Sequence, residues 1–150
     1  MSHDAYRIAD VSADGRGLEN SMRSALAEAN ASAESVDYIV ATANSTRIFD
    51  AAEVRAIERL FGRGPTIPVS SIKSMIGETS AAGGIFNVLA GIAAISNSFL
   101  PPTINYTNPD PECNLDCVPN SFRPKRVELV LANAYSFGGS SGTVALKPFS

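Results

Sequence analysis

The chain predicts a layered α/β domain built on a mixed sheet, and three observations carry that expectation. Apolar stretches of helical period alternate with short runs rich in strand-forming residues. The last two apolar runs are separated by a glycine- and serine-rich turn, which suits a closing antiparallel pair. Finally, 150 residues suffice for one hydrophobic core. The order read from the sequence is helix, strand, helix, strand, long helix, strand, strand, with one domain over residues 1–150.

Residues 17–29 place Leu18, Met22, Ala25, Leu26 and Ala29 at helical intervals, with Glu19, Arg23 and Glu28 on other positions. Val36-Asp37-Tyr38-Ile39-Val40-Ala41 then reads as a buried strand leading into the small polar loop Thr42-Ala43-Asn44-Ser45-Thr46. Asp50 and Glu53 have capping-box spacing, so a helix is expected from there to about Phe61, with Val54, Ile57, Leu60 and Phe61 as its buried stripe. Gly62 and Gly64 end it, and Pro68-Val69-Ser70-Ser71-Ile72 supplies the next short strand.

Residues 79–109 contain no Asp, Glu, Lys, Arg or His. The apolar part, 81–100, is interrupted by Gly, Asn and Ser and is followed by Pro101-Pro102 without basic flanks, so a helix buried on most sides is expected rather than a membrane span. Six prolines between 101 and 124 predict an extended irregular connection that either packs over a neighbour or forms a functional surface. Residues 127–134 and 142–146 close the sheet. The first fifteen residues offer only a weak strand at 6–11, so the sheet is short of a member, and a second polypeptide could supply one along an exposed edge.

A formal net charge of -3 and the lack of a basic run argue against nucleic-acid binding. Cys113 and Cys117 have no second pair to complete a zinc site, so no metal is expected, and nothing calls for a cofactor. No basic segment followed by an apolar core and cleavage site opens the chain, and a cytoplasmic location is the expectation. His3 is the sole histidine and lies near the start, so no Ser-His-Asp or Cys-His arrangement can be built.

If helices intervene between parallel strands, the loops after Ala41 and Ile72 open at the same sheet edge, where α/β folds place ligands. Asn44-Ser45-Thr46, residues 73–79 and Phe137-Gly138-Gly139 are therefore expected around one pocket. Lys73 could neutralise a carboxylate, and Glu78 could accept a proton if burial raised its pKa. The plainer expectation is a structural ion pair for Lys73 and helix capping for Glu78, and capping also accounts for Asp50 and Glu53.

At these loops the sequence resembles the C-terminal half of a beta-ketoacyl synthase, the condensing enzyme of fatty-acid and polyketide assembly. The resemblance runs from about Asp4 to Lys147. It rests on Val36-Asp37-Tyr38-Ile39, on Asn44-Ser45-Thr46 through Asp50 and Glu53, and on Val69-Ser70-Ser71-Ile72-Lys73-Ser74-Met75-Ile76-Gly77. It continues in Pro101-Pro102-Thr103-Ile104-Asn105, in Asn108-Pro109-Asp110-Pro111-Glu112-Cys113 and in Asn133-Ala134-Tyr135-Ser136-Phe137-Gly138-Gly139.

The resemblance implies a thiolase-like fold of two related halves, with a cysteine from the first half and two histidines from the second at the active site. Thr42 stands where the first histidine belongs, and Glu78 stands where the second does. Lys73 is retained. Asp50 and Glu53 remain where the family supports the histidine loop, with Asn44 and Thr46 inside that loop, and Phe137-Gly138-Gly139 resembles the loop beside the acyl pocket. Decarboxylative condensation needs hydrogen-bond donors for a developing oxyanion, and an ionised Glu78 would repel that charge.

Inactive relatives called chain-length factors pair with active ketosynthases and shape their acyl cavity. The resemblance therefore implies a noncatalytic half-subunit of a ketosynthase or chain-length-factor complex. Its expected partners are an N-terminal thiolase half or a ketosynthase, together with an acyl carrier protein, and neither nucleic acid nor membrane. The alternatives are a partner-dependent enzyme using Glu78 as acid or base in condensation, dehydration or cyclisation, and a carrier-docking scaffold without an acyl pocket.

Overall fold

The structure, a computed structural model, describes residues 1–4 and 10–149. A five-stranded mixed sheet has the order β1-β7-β6-β2-β3, with β1 at Ser2–His3, β2 at Tyr38–Val40, β3 at Val69–Ser70, β6 at Val130–Tyr135 and β7 at Ser140–Leu146. Strand β2 is parallel to both β3 and β6, whereas β7 is antiparallel to β6 and to β1. All three residues of β2 are buried. A continuous apolar run suits a strand covered on both faces.

Helices α1 (Arg16–Glu28) and α2 (Arg47–Phe61) cover one face, where Leu18, Met22, Leu26, Ala52 and Ile57 pack with Ile39 and Leu131 of the sheet. Helix α4 (Gly83–Asn97) covers the other face through Ala90 and Ala94, which meet Tyr38, Val40, Val130 and Ala132. The alternation of side chains along β2 and β6 divides these two cores. The short helix α3 (Lys73–Ile76) follows β3.

The mixed α/β sheet with helices on both sides is thus present, and three details differ from expectation. Helix α2 begins at Arg47, one turn before Asp50, with Thr46 as N-cap and no side-chain capping bond. The weak strand expected at 6–11 lies mostly outside the described residues, and among those described the strand beside β7 is Ser2–His3. The proline-rich connection folds back on itself, since β5 (Arg123–Pro124) pairs antiparallel with β4 (Phe99–Leu100) and Thr103 bridges to Pro119.

The third difference concerns α4. It buries Asn87, Ala90, Gly91 and Ala94 but leaves Ile85, Leu89 and Ile92 at 57%, 52% and 46% exposure. A helix lying on one sheet buries only one stripe, so the expectation of burial on most sides fails within this chain. By length and composition alone, residues 80–97 could cross a membrane, with a mean hydropathy of 1.3. Yet Asn87 in the middle of that stretch is buried against the sheet, donating to the backbone carbonyls of Ala41 and Asn133.

Gly91 allows α4 its close approach. A Cβ there would lie 2.7 Å from Leu146 Cδ1 and 3.1 Å from Val130 Cγ1. Gly91→Val is therefore expected to destabilise the chain by about 1–3 kcal/mol through overpacking, read as a lower urea midpoint at unchanged slope.

Candidate functional site

The loops following β2 and β3 open at the same edge of the sheet, at the C-terminal ends of parallel strands. Glu53 organises the first of them. Its side chain is buried within α2, where Oε1 accepts the Thr42 amide at 3.0 Å and Oε2 accepts the Ala43 amide at 2.9 Å. Asn133 on β6 donates from Nδ2 to the same Oε1, also at 3.0 Å. Asp50, one turn earlier, accepts the Asn44 amide at 3.1 Å. These carboxylates hold the loop before their helix rather than the helix's own first amides, which corrects their assignment as helix caps.

Burial drives both carboxyl groups upward, against the amides that stabilise the anions. For Asp50, burial and the neighbouring Glu53 carboxylate push the pKa up to about 6. For Glu53, burial raises the pKa although the amides of Ala43 and Thr42 and the Asn133 side chain oppose it.

Lys73 and Glu78 form the opposite wall. Lys73 Nζ donates to Glu78 Oε2 at 2.9 Å, with the lysine side chain only 10% exposed. Glu78 Oε1 accepts the Ser80 amide at 2.7 Å, at the start of the 3-10 turn Ser80–Ala82. Slight burial opposes ionisation of Glu78, but the Lys73 ammonium and the Ser80 and Thr79 amides outweigh it and hold the carboxyl below its ordinary value. Glu78 is therefore an anion at neutral pH and can only accept hydrogen bonds.

A cavity of about 590 Å³ lies between these walls, lined by Asn44, Asp50, Glu53, Lys73 and Glu78 among others. Its remaining side comes from the proline-rich connection, through Thr103, Tyr106, Asn108 and Cys113. Thr103 accepts the Ser71 amide, and Ser74 accepts the Ile104 amide, so the connection is stitched to the turn that carries Lys73. The sequence predicts that this segment either packs over a neighbour or forms a functional surface, and two of the motifs that carry the family resemblance, at 101–105 and 108–113, lie in it.

Five expected residues do not line the cavity. Thr46 caps α2, and Phe137-Gly138-Gly139 forms a turn whose phenyl ring stands 5.2 Å from the ring of Phe49 and is 68% exposed. Gly139 has φ of 76°, and a Cβ there would fall 2.6 Å from Asp4 Cβ, so the close turn requires glycine. Thr42 is also absent from the lining. It is 6% exposed, and its hydroxyl finds no hydrogen-bond partner among the described residues.

Cys113 faces the cavity, but burial and then Asp110 push its thiol up to about 11, so little thiolate forms at neutral pH. Among the described residues, no three His, Cys, Asp or Glu side chains gather as a metal site.

The raised Asp50 value has a definite consequence for stability. The folded chain holds the Asp50 proton more tightly than the unfolded chain, so this group's contribution is complete below about pH 3.8 and is lost as pH rises through about 6. Asp50→Asn keeps an oxygen for the Asn44 amide. Its stability relative to the parent chain is expected to be more favourable near about pH 7.5 than near about pH 4.5, measured by urea unfolding at both values.

Comparison with known proteins is consistent with this geometry. The family model described as "Beta-ketoacyl synthase, C-terminal domain" matches residues 1–107. The 3-oxoacyl-[acyl-carrier-protein] synthase 2 of Coxiella burnetii is 40% identical over 148 residues, covering 98% of this chain and 36% of that protein. The ketoacyl synthase alpha subunit of the tetracenomycin polyketide synthase of Streptomyces glaucescens is 40% identical over 147 residues, covering 97% of this chain and 34% of that protein. Among solved structures, the ishigamide ketosynthase/chain length factor superposes with a TM-score of 0.94 at 32% identity, over 99% of this chain and 36% of that one. The chain thus spans about a third of the length of these relatives. It belongs to the beta-ketoacyl synthase family, whose C-terminal domain it carries as the C-terminal half of a thiolase-like fold.

Proposed function

We propose that the chain is a noncatalytic half-subunit of a ketosynthase or chain-length-factor complex in polyketide or fatty-acid biosynthesis, stabilising that complex and helping to shape its acyl pocket. The observation that carries this reading is the Lys73–Glu78 ion pair. Where the family resemblance places a second histidine, an anion is locked against a lysine and an amide, with no proton to offer. A malonyl thioester losing carbon dioxide develops negative charge on its oxygen and needs donors there. The first histidine position offers only the buried Thr42 hydroxyl, away from the cavity.

One feature supports a partner: α4 leaves a row of large aliphatic side chains bare at Ile85, Leu89 and Ile92. Contiguous exposed apolar surface of this kind marks an interaction site. An N-terminal thiolase half or a ketosynthase would cover it, with an acyl carrier protein delivering the chain. One solved relative is described as a type II polyketide synthase acyl-carrier protein in complex with its ketosynthase bound to the hexaketide. The cavity speaks against a scaffold without an acyl pocket, and the lowered pKa of Glu78 speaks against its use as an acid.

Copurification with a protein bearing the other thiolase half tests the reading, and repeated failure to find one would remove it. Leu89→Asp together with Ile85→Asp is expected to abolish copurification while leaving the lone chain folded, because both side chains already face water in it. In the reconstituted complex, Glu78→Gln is expected to leave turnover within about twofold of the parent. A loss of about a hundredfold with assembly intact would instead make Glu78 an acid–base group.

A further inference from the structure

We infer that Cys113 and Cys117 form a modification site, a dithiol that a small disulfide such as oxidised glutathione converts into an intrachain bridge across the cavity wall. The site belongs to this chain alone and stands apart from the half-subunit reading.

Three observations bring the two thiols together. Both are free and half-buried, and both line the same cavity on the side made by the proline-rich connection. The chain bends at Cys113 and again directly after it, because the Cys113 amide donates to the Asp110 carbonyl and the Leu115 amide donates to the Cys113 carbonyl. Tyr106 stands near both sulfurs, since burial, then Cys117 and then Cys113 raise its phenol. Its backbone is fixed by Asn120, which accepts the Tyr106 amide at 2.9 Å and donates to the Tyr106 carbonyl at 2.8 Å.

Cys117 is the anchored member of the pair. On one side of it, the Asp116 carbonyl accepts the Val69 amide of β3, and the Asp116 carboxylate takes two bonds from the Arg123 guanidinium. On the other side, the Val118 carbonyl accepts the Thr103 amide. Cys113 belongs to the outer turn with Asp110 and Glu112, so a bridge pins that stretch of cavity wall to the sheet.

The exchange runs in two steps. The Cys117 sulfur, as thiolate, attacks one sulfur of glutathione disulfide and breaks its S–S bond, and the departing glutathione thiolate takes up the proton that Cys117 gave to solvent. The Cys113 thiolate then attacks the Cys117 sulfur of the mixed disulfide and expels the second glutathione, which is protonated in turn. The chain loses two protons and two electrons, and one glutathione disulfide becomes two thiols. Burial raises the Cys117 thiol, but the Tyr106 hydroxyl opposes that rise and favours Cys117 as the first nucleophile. Burial and then Asp110 hold Cys113 higher, at about 11. Thiols kept from ionising give the reduced form no extra stability and leave slowly, so the bridge resists reduction once formed.

Intact mass after acid quenching reads the outcome. The chain is equilibrated at about pH 8 with reduced and oxidised glutathione at about 1 mM each, once folded and once in about 8 M urea. A species about 2 Da lighter is expected to dominate in the folded chain, with a bridge-to-dithiol ratio at least about tenfold above that in urea. Cys113→Ser and Cys117→Ser are each expected to gain at most one glutathione and to show no lighter species. A ratio no higher in the folded chain than in urea would overturn the inference, because the fold would then hold the thiols no closer than a flexible chain does. Glutathione on both cysteines of the parent without a bridge, or a disulfide joining two chains, would equally overturn it.

Discussion

One buried carboxylate holds the site together. Glu53 sits on α2, yet its oxygens are occupied by two amides of the loop after β2 and by the side-chain amide of Asn133 on β6. A carboxylate taken out of water is costly unless such donors replace its hydration. The burial therefore makes the arrangement cooperative, because the loop, the helix and the strand must all be in place for the charge to be tolerated. Asn133 extends the network, since its Oδ1 accepts from Thr143 of β7 and its backbone carbonyl accepts from Asn87 of α4. The strand-end loop is thereby tied to both helical layers of the domain.

Within that frame, the cavity has the architecture of a reaction site and an altered charge pattern. Lys73 bonds directly to Glu78, and its charge also acts on Asp50 and Glu53. An ammonium engaged in this way is less available to a ligand anion, and the carboxylate beside it would repel one. The same positions that keep the loops ordered thus make the pocket a poor place to develop negative charge.

The apolar surface of the chain is distributed unevenly. The layer formed by α1, α2 and the sheet is closed, with Leu18, Met22, Ile39 and Leu131 at or near zero exposure. The α4 layer is half-closed, because the helix is apolar around most of its circumference while only the stripe through Asn87, Ala90 and Ala94 meets the sheet. The bare face leaves aliphatic groups at Ile85, Leu89 and Ile92 in water.

Much of the architecture was legible in the residues alone. The alternation of helices and strands, the amphipathic stripe of α1 and the closing antiparallel pair all follow from local periodicity, because each depends on residues three or four apart, or two apart. The spacing of Asp50 and Glu53 marked them as important but suggested the wrong partners. Their acceptors reach the preceding loop and Asn133, and the latter is 80 positions away in the chain. The ion pair of Lys73 and the amide contact of Glu78 follow the plainer reading of the sequence, whereas the burial of Asn87, the cavity wall formed by the proline-rich connection and the bare side of α4 were decided in three dimensions. Each depends on which distant segment is brought alongside, and a hydrogen bond or a packed face has no signature in the sequence until the fold supplies its other member.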